Sequence, residues 1–165
     1  MRKTVRIAAG VAAAVAVVAF AINCGGENGT TGPTVRTYTA TLFNTNEVPP
    51  NTSAGTGVAV FSDNTTSIDW TLTLDGITAV TMSHIHGPAL PGVNAGVIFD
   101  LYIPTAPPTG DLHNFTRSGS ILNTTNPNVS LDSLRILFNK GSAYVNVHTT
   151  TLGAGAIRGQ IVRTN

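Results

Sequence analysis

The stretch SIDWTLTLDG, residues 67–76, limits the fold more than any other part of the chain. Ile68, Trp70, Leu72 and Leu74 alternate strictly with Ser67, Asp69, Thr71 and Thr73. In an extended backbone a period of two sends the two sets to opposite faces, so one face must be buried and the other stays wet. Such a strand belongs to a sheet that covers a core on one side only. The same rhythm recurs in TYTATLF, where Tyr38, Ala40 and Leu42 alternate with threonines. Residues 57–63 (GVAVFSD), 95–103 (AGVIFDLYI), 141–149 (GSAYVNVHT) and 154–162 (AGAIRGQIV) behave similarly. Asp75-Gly76 and the Pro/Gly segments 87–92 and 104–110 punctuate the runs as turns.

One segment departs from this rhythm. In SLDSLRILFNKG (130–141), Leu131, Leu134 and Phe138 stand at helical spacing, Ser130 can cap the N-terminus, and Gly141 follows the end. The sequence thus predicts an all-β, antiparallel sandwich or barrel of six or seven strands with one short connecting helix. A domain of about 130 residues buries a sufficient core without disulfides or metal. A metal here would serve function and not folding.

The N-terminus points to export. MRKTVR is basic, and residues 7–22 form an uncharged apolar run of mostly small side chains, too short for the roughly 20 residues of a membrane span. We read 1–23 as a signal peptide. Ala19-Phe20-Ala21 fits one cleavage pattern, while Cys24, the only cysteine, stands where a bacterial lipoprotein carries its lipidated first residue. Asn23 departs from the small residue usual before such a cysteine. A lone cysteine excludes an internal disulfide framework. Residues 25–34 (GGENGTTGPT) read as a flexible linker, leaving 35–165 as the β-domain. The expected location is the periplasm, the outer membrane or cell surface as a lipoprotein, or the medium. Contact with the membrane is expected only through the signal or a lipid on Cys24.

Without the signal the chain holds six basic and eight acidic residues, a net of −2. No basic run can neutralise phosphates, which excludes nucleic acid as the expected partner. Nucleophilic catalysis has no support either. There is no Gly-x-Ser-x-Gly elbow, the cysteine lies at the export segment, and no paired carboxylates stand out.

The side chains best suited to chemistry are histidines. His84 and His86 share one face of a strand, about 6–7 Å apart along it. Both imidazoles can then aim at one point, as a tetrahedral or square-planar copper or zinc ion requires. A third ligand is available in YVNVHT. If Val145 and Val147 turn inward, Tyr144, Asn146 and His148 share the other face, and His148 ends its strand as the pair ends its own. Glu47, stiffened by the following Val48-Pro49-Pro50, is a candidate fourth ligand. It is also a candidate for an ion pair with Arg158 on the polar face of the last strand; Asp100 is another carboxylate that Arg158 can meet. The alternative is structural: histidines beside Gly87-Pro88 can brace a loop by bonding its backbone. Parity leaves their facing open. Val80 and Met82 share the parity of His84 and His86, so regular alternation would send all four the same way, and a bulge between Met82 and His84 would separate them.

Four segments together resemble the CHRD (chordin-type) domain of bacterial exported proteins: NEVPP (46–50), SHIHGPALPGVNAGVIFDL (83–101), AYVNVHT (143–149) and AIRGQI (156–161). The resemblance runs from about Thr37 to Val162 and implies an immunoglobulin-like sandwich or barrel. It implies no particular chemistry, and chordin's growth-factor binding does not transfer through one shared module. The His-x-His strand and the later Val-x-His strand end also loosely resemble the copper half of Cu/Zn superoxide dismutase. The missing cysteine pair and the isolated His113 set this chain apart, and dismutase activity is not expected. The expected function is a non-enzymatic, envelope-associated module that binds an unidentified protein or envelope ligand. The alternative is a copper- or zinc-binding protein using His84, His86 and His148.

Overall fold

The computed structural model describes residues 35–123 and 129–165. The chain divides into two units, 1–31 and 32–165, and the described residues all fall in the second. The signal peptide, Cys24 and the 25–34 linker lie outside the described residues.

Among the described residues eleven strands and one α-helix follow in order, with a 3₁₀ turn at Asn44–Asn46. They are β1 (Arg36–Leu42), β2 (Thr56–Asp63), β3 (Ile68–Asp75), β4 (Ile77–Thr78), β5 (Val80–His86), β6 (Val97–Tyr102), β7 (Asp111–Leu112), β8 (Phe115–Ile121), α1 (Leu131–Asn139), β9 (Tyr144–Thr149), β10 (Ile157–Gln160) and β11 (Val162–Arg163). One sheet has the order β11-β1-β2-β3-β8 and a second β10-β9-β5-β6, with β4-β7 as a small ribbon. Every pairing is antiparallel. The architecture is the all-β antiparallel sandwich with one short helix that the alternation predicts.

The alternating runs place the core. Tyr38, Ala40 and Leu42 of β1, Ala59 and Phe61 of β2, and Ile68, Trp70, Leu72 and Leu74 of β3 are buried on the inner face of the first sheet. Ile85 of β5, Val145 and Val147 of β9, and Ile157 of β10 meet them from the second. Helix α1 closes one end. Ser130 caps it by accepting from the Ser133 N–H, and Leu131, Leu134 and Phe138 form its buried stripe. Phe138 meets Tyr38 and Phe61 edge-on, with centroids 5.4 and 5.1 Å away. Arg135 clamps the helix to β2 by donating to the buried Asp63 carboxylate at 2.9 Å.

Strand β8 is the one long strand that alternation does not reveal. FTRSGSI carries no regular apolar face, and only Ile121 is fully buried. It is an edge strand whose Gly119 lies opposite Trp70, where an added Cβ would come within 2.9 Å of the indole.

The sheets are joined where β1 runs out. Phe43 and Arg158 exchange both backbone hydrogen bonds, at 3.0 and 3.1 Å, and tie the end of β1 to β10. The next inward residue of β10, Gly159, rests directly on the Thr41 backbone, where a Cβ would collide with the carbonyl group. Backbone cannot yield as a flexible side chain does, so Gly159→Ala must separate the sheets locally. The expected loss is about 2–4 kcal/mol, read by urea denaturation; an unchanged midpoint would show that the junction tolerates a methyl.

Candidate metal centre

Strand β9, most of β10 and the Ser83–His86 end of β5 are buried on both faces of the second sheet. Its inner face is the apolar core, and its outer face holds polar side chains roofed by loops. In β9 all six residues are buried, with Val145 and Val147 inward and Tyr144, Asn146 and His148 outward. In β5 the facing depends on one irregularity. Val80 pairs with Thr149 and Met82 with His148, so two steps along β5 match one along β9. This bulge at Thr81 lets Val80 enter the core while Met82 joins the outer face. From there His84 pairs with Asn146 and His86 with Tyr144, both histidines pointing outward as Ile85 points in. The break in parity therefore lies between Val80 and Met82, one step earlier than a break between Met82 and His84.

The three imidazoles converge as their spacing predicts. One nitrogen from each of His84, His86 and His148 lies within 4.8 Å of the others. All three histidine residues are buried, 6–7 % exposed. The remaining ring nitrogens are occupied in a way that assigns tautomers. His86 Nδ1 lies 3.0 Å from the Ala95 carbonyl and His148 Nδ1 lies 3.0 Å from the Gly153 carbonyl. A carbonyl only accepts, so both Nδ1 atoms carry the proton and both Nε2 atoms present lone pairs. His86 Nε2 has no hydrogen-bond partner although it is buried.

His84 has more neighbours than protons. Its Nδ1 lies 3.3 Å from His148 Nε2, and its Nε2 lies 3.6 Å from a carboxylate oxygen of Asp100. Burial, reinforced by His148 and His86, pushes its pKa down to about 4, against a smaller raising effect of Asp100. Near neutral pH the ring therefore carries one proton. Placed on Nδ1 it donates to His148 Nε2 at 3.3 Å; placed on Nε2, toward Asp100 at 3.6 Å, it leaves two lone pairs facing each other. Two nitrogens bound about 2.05 Å from one tetrahedral ion are also about 3.3 Å apart. The same distance that is awkward for two bare lone pairs suits a shared cation.

Burial also lowers the pKa of His86 and of His148, each opposed by its backbone carbonyl. All three rings are biased toward the neutral form that ligates metal. The carbonyls of Ala95 and Gly153, and the Asp100 carboxylate, hold the rings from behind in the way that oriented metal ligands are held. The donor set thus fits copper or zinc. The loop contacts also realise the bracing role open to these histidines, through nitrogens that a metal would not use.

Glu47 and Arg158 take other places. Glu47 is not among the converging groups. It is buried, and its Oε2 accepts from Asn146 Nδ2 at 3.5 Å. Nor do Glu47 and Arg158 make the expected direct ion pair. Arg158 donates to Asn94 Oδ1 at 3.0 Å and to the Val93 carbonyl at 2.7 Å, and lies 3.4 Å from the centroid of the Tyr144 ring. Asp100 turns to His84 and not to Arg158. Tyr144 in turn stacks on His86 at 4.9 Å and 7° and bonds the Ala95 backbone through its hydroxyl. The guanidinium is used to pin the 93–95 loop over the histidines, and Glu47 feels it only through space. His113 stays apart, bonded to Asp75 at 3.2 Å on the surface.

The family model of the CHRD domain matches residues 38–161. No curated protein and no solved structure matches the chain.

Glu47 generates a pH test. Burial raises its pKa from 4.5 to about 7, against lowering by Arg158 and Asn146. Its Oε1 is buried without a hydrogen-bond partner, and a proton on the carboxyl removes the charge that burial disfavours. Gly155, at φ +143°, presses on Glu47 and Asn146, where a Cβ would lie 2.6 Å from each side chain. Because the folded pKa is the higher one, the folded chain holds a proton that the unfolded chain releases. This contribution is complete below pH 4.5 and is lost as pH rises through about 7. The histidine shifts have the opposite sign, losing stability as pH falls below about 6.5, and they cancel between wild type and Glu47→Gln. The variant is expected to match wild type near pH 5 and to exceed it by on the order of 2–3 kcal/mol at pH 8. Denaturation curves that stay parallel over this range would remove the protonated carboxyl.

Proposed function

The chain belongs to the CHRD-domain family, and from that premise we propose that it is an exported, non-enzymatic module of a bacterial cell envelope. Its binding chemistry resides in the polar layer of the second sheet. The export reading rests on the basic start, the apolar run 7–22 and the Gly/Thr-rich tether; anchoring rests on Cys24 directly behind that run. A domain at the end of a tether can meet a partner protein or envelope ligand through its loops or sheet edges.

A second, more specific reading is favoured by one observation: His84 Nδ1 and His148 Nε2 stand 3.3 Å apart while His86 Nε2 is buried and unpartnered. In this reading the module holds a copper or zinc ion at His84, His86 and His148. The ion, when bound, supplies a positive charge and a Lewis acid at the centre of the layer. His86 and His148 ligate through Nε2 with Nδ1 fixed by backbone carbonyls, and His84 ligates through Nδ1 with Nε2 turned to Asp100. The burial of the three histidines suits retention of an ion better than turnover of a substrate.

Two measurements test these readings. Copper or zinc at 100 times its dissociation constant is expected to stabilise the wild-type fold by about 2.7 kcal/mol, seen as a rise in Tm, whereas His86→Ala and His148→Ala gain little. Equal shifts in all three proteins would exclude the histidines as the site. For anchoring, the intact mass of the exported protein is expected to include an acyl-glyceryl group that Cys24→Ser lacks; identical processing of both would exclude the lipid.

A further inference from the structure

Three neutral imidazoles leave a fourth position to fill, and the surroundings of the site narrow what can fill it. Glu47 is held by Asn146. Asp100 faces Nε2 of His84, the nitrogen directed away from His148. It therefore orients a ligand and does not supply one. The remaining side chain on the histidine face of β5 is Met82. The bulge at Thr81 puts it there, directly across from His148 and two residues before His84. Residues opposite each other in an antiparallel pair have Cβ atoms about 4.5–5.5 Å apart, within reach of a side chain with three rotatable bonds. Met82 is also 37 % exposed, while the three histidines beside it are buried. It stands at the open margin of the cluster.

We infer that Met82 supplies a thioether ligand that completes the three-histidine site and makes it a copper site selective for Cu(I) over Zn(II). The inference rests on the metal-binding reading above and adds the identity of the ion. Thioether sulfur is a soft ligand that favours Cu(I), whereas zinc sites are built from thiolate, imidazole and carboxylate. Charge argues the same way. Three neutral imidazoles and a thioether bring no negative charge, which suits a monovalent ion better than a divalent one. The unbranched side chain at the margin gives the ion a flexible point of entry, and the buried histidines give it a fixed seat.

The test titrates the full-length exported protein anaerobically with Cu(I) against a competing chelator, and separately with Zn(II). Wild type, Met82→Leu and His148→Ala are compared. Leucine conserves the volume of a partly exposed position, and circular dichroism checks the fold. Met82→Leu is expected to weaken Cu(I) binding at least tenfold while changing Zn(II) binding less than twofold; His148→Ala is expected to weaken both. X-ray absorption of the wild-type Cu(I) complex is expected to show a copper–sulfur shell. With only one cysteine and one methionine besides Met1 in the chain, loss of that shell in Met82→Leu assigns it. Equal Cu(I) affinity in wild type and Met82→Leu, or a shell of nitrogen alone, overturns the thioether ligand and leaves the histidine site standing. Failure of wild type to bind either ion overturns the histidine site itself.

Discussion

One additional residue in β5 opposite β9, at Thr81, sets the rest of this structure. Upstream of it Val80 packs in the core; downstream Met82, His84 and His86 lie on the outer face and Ser83 and Ile85 on the inner. Because side chains alternate with a period of two, a one-residue slip exchanges the faces of everything beyond it. Without the bulge, two imidazoles would be driven into an apolar core where few acceptors exist. With it, they reach a layer in which the Ala95 carbonyl accepts from His86 and the Asp100 carboxylate lies 3.6 Å from His84.

That layer explains why β9 and its neighbouring segments of β5 and β10 are buried on both faces. The apolar core covers one face through Ile85, Val145, Val147 and Ile157. The other face is covered by loops that bring few large apolar groups and are held by directed contacts instead. Arg158 fixes Val93 and Asn94, Tyr144 fixes Ala95, Gln160 donates to Ala89 and Gly141, and Asn51 donates to Gly155 and Ala156. The guanidinium has no carboxylate in contact, and burial lowers its pKa. Its position over Tyr144 and two neutral acceptors offset that desolvation. The four separated segments that carry the family resemblance meet here. Glu47, the histidine pair with its loop, the Tyr144–His148 strand and the Arg158–Gln160 strand are parts of a single polar layer.

Much of the sandwich was legible beforehand because burial on one face writes itself into a strand as alternation. Tyr38-Ala40-Leu42, Ile68-Trp70-Leu72-Leu74 and the Leu131-Leu134-Phe138 stripe were readable for this reason. Strand β8 was not, since an edge strand with one buried end needs no apolar rhythm. The histidine trio was legible from i, i+2 spacing and from the end position of His148. The facing of Met82 was not readable, because regular alternation would have sent it, Val80 and both histidines to one side, and only the bulge separates Val80 from the rest. Glu47 and Arg158 stand out in the sequence but their partners do not: Asn146, Asn94 and Tyr144 come from distant segments, and nothing local records that choice.

By itself the sequence determined the all-β class, the inward residues of the regular strands, the helix with its cap, and which histidines were able to share a site. Each follows from interactions that repeat along the chain every two residues or every turn. Tertiary structure alone decided which way β5 faces, which carbonyls fix the tautomers, and which side chain borders the histidines. Those outcomes depend on a one-residue difference in register between two strands about 60 positions apart, and a register is a property of the pair, absent from either strand alone.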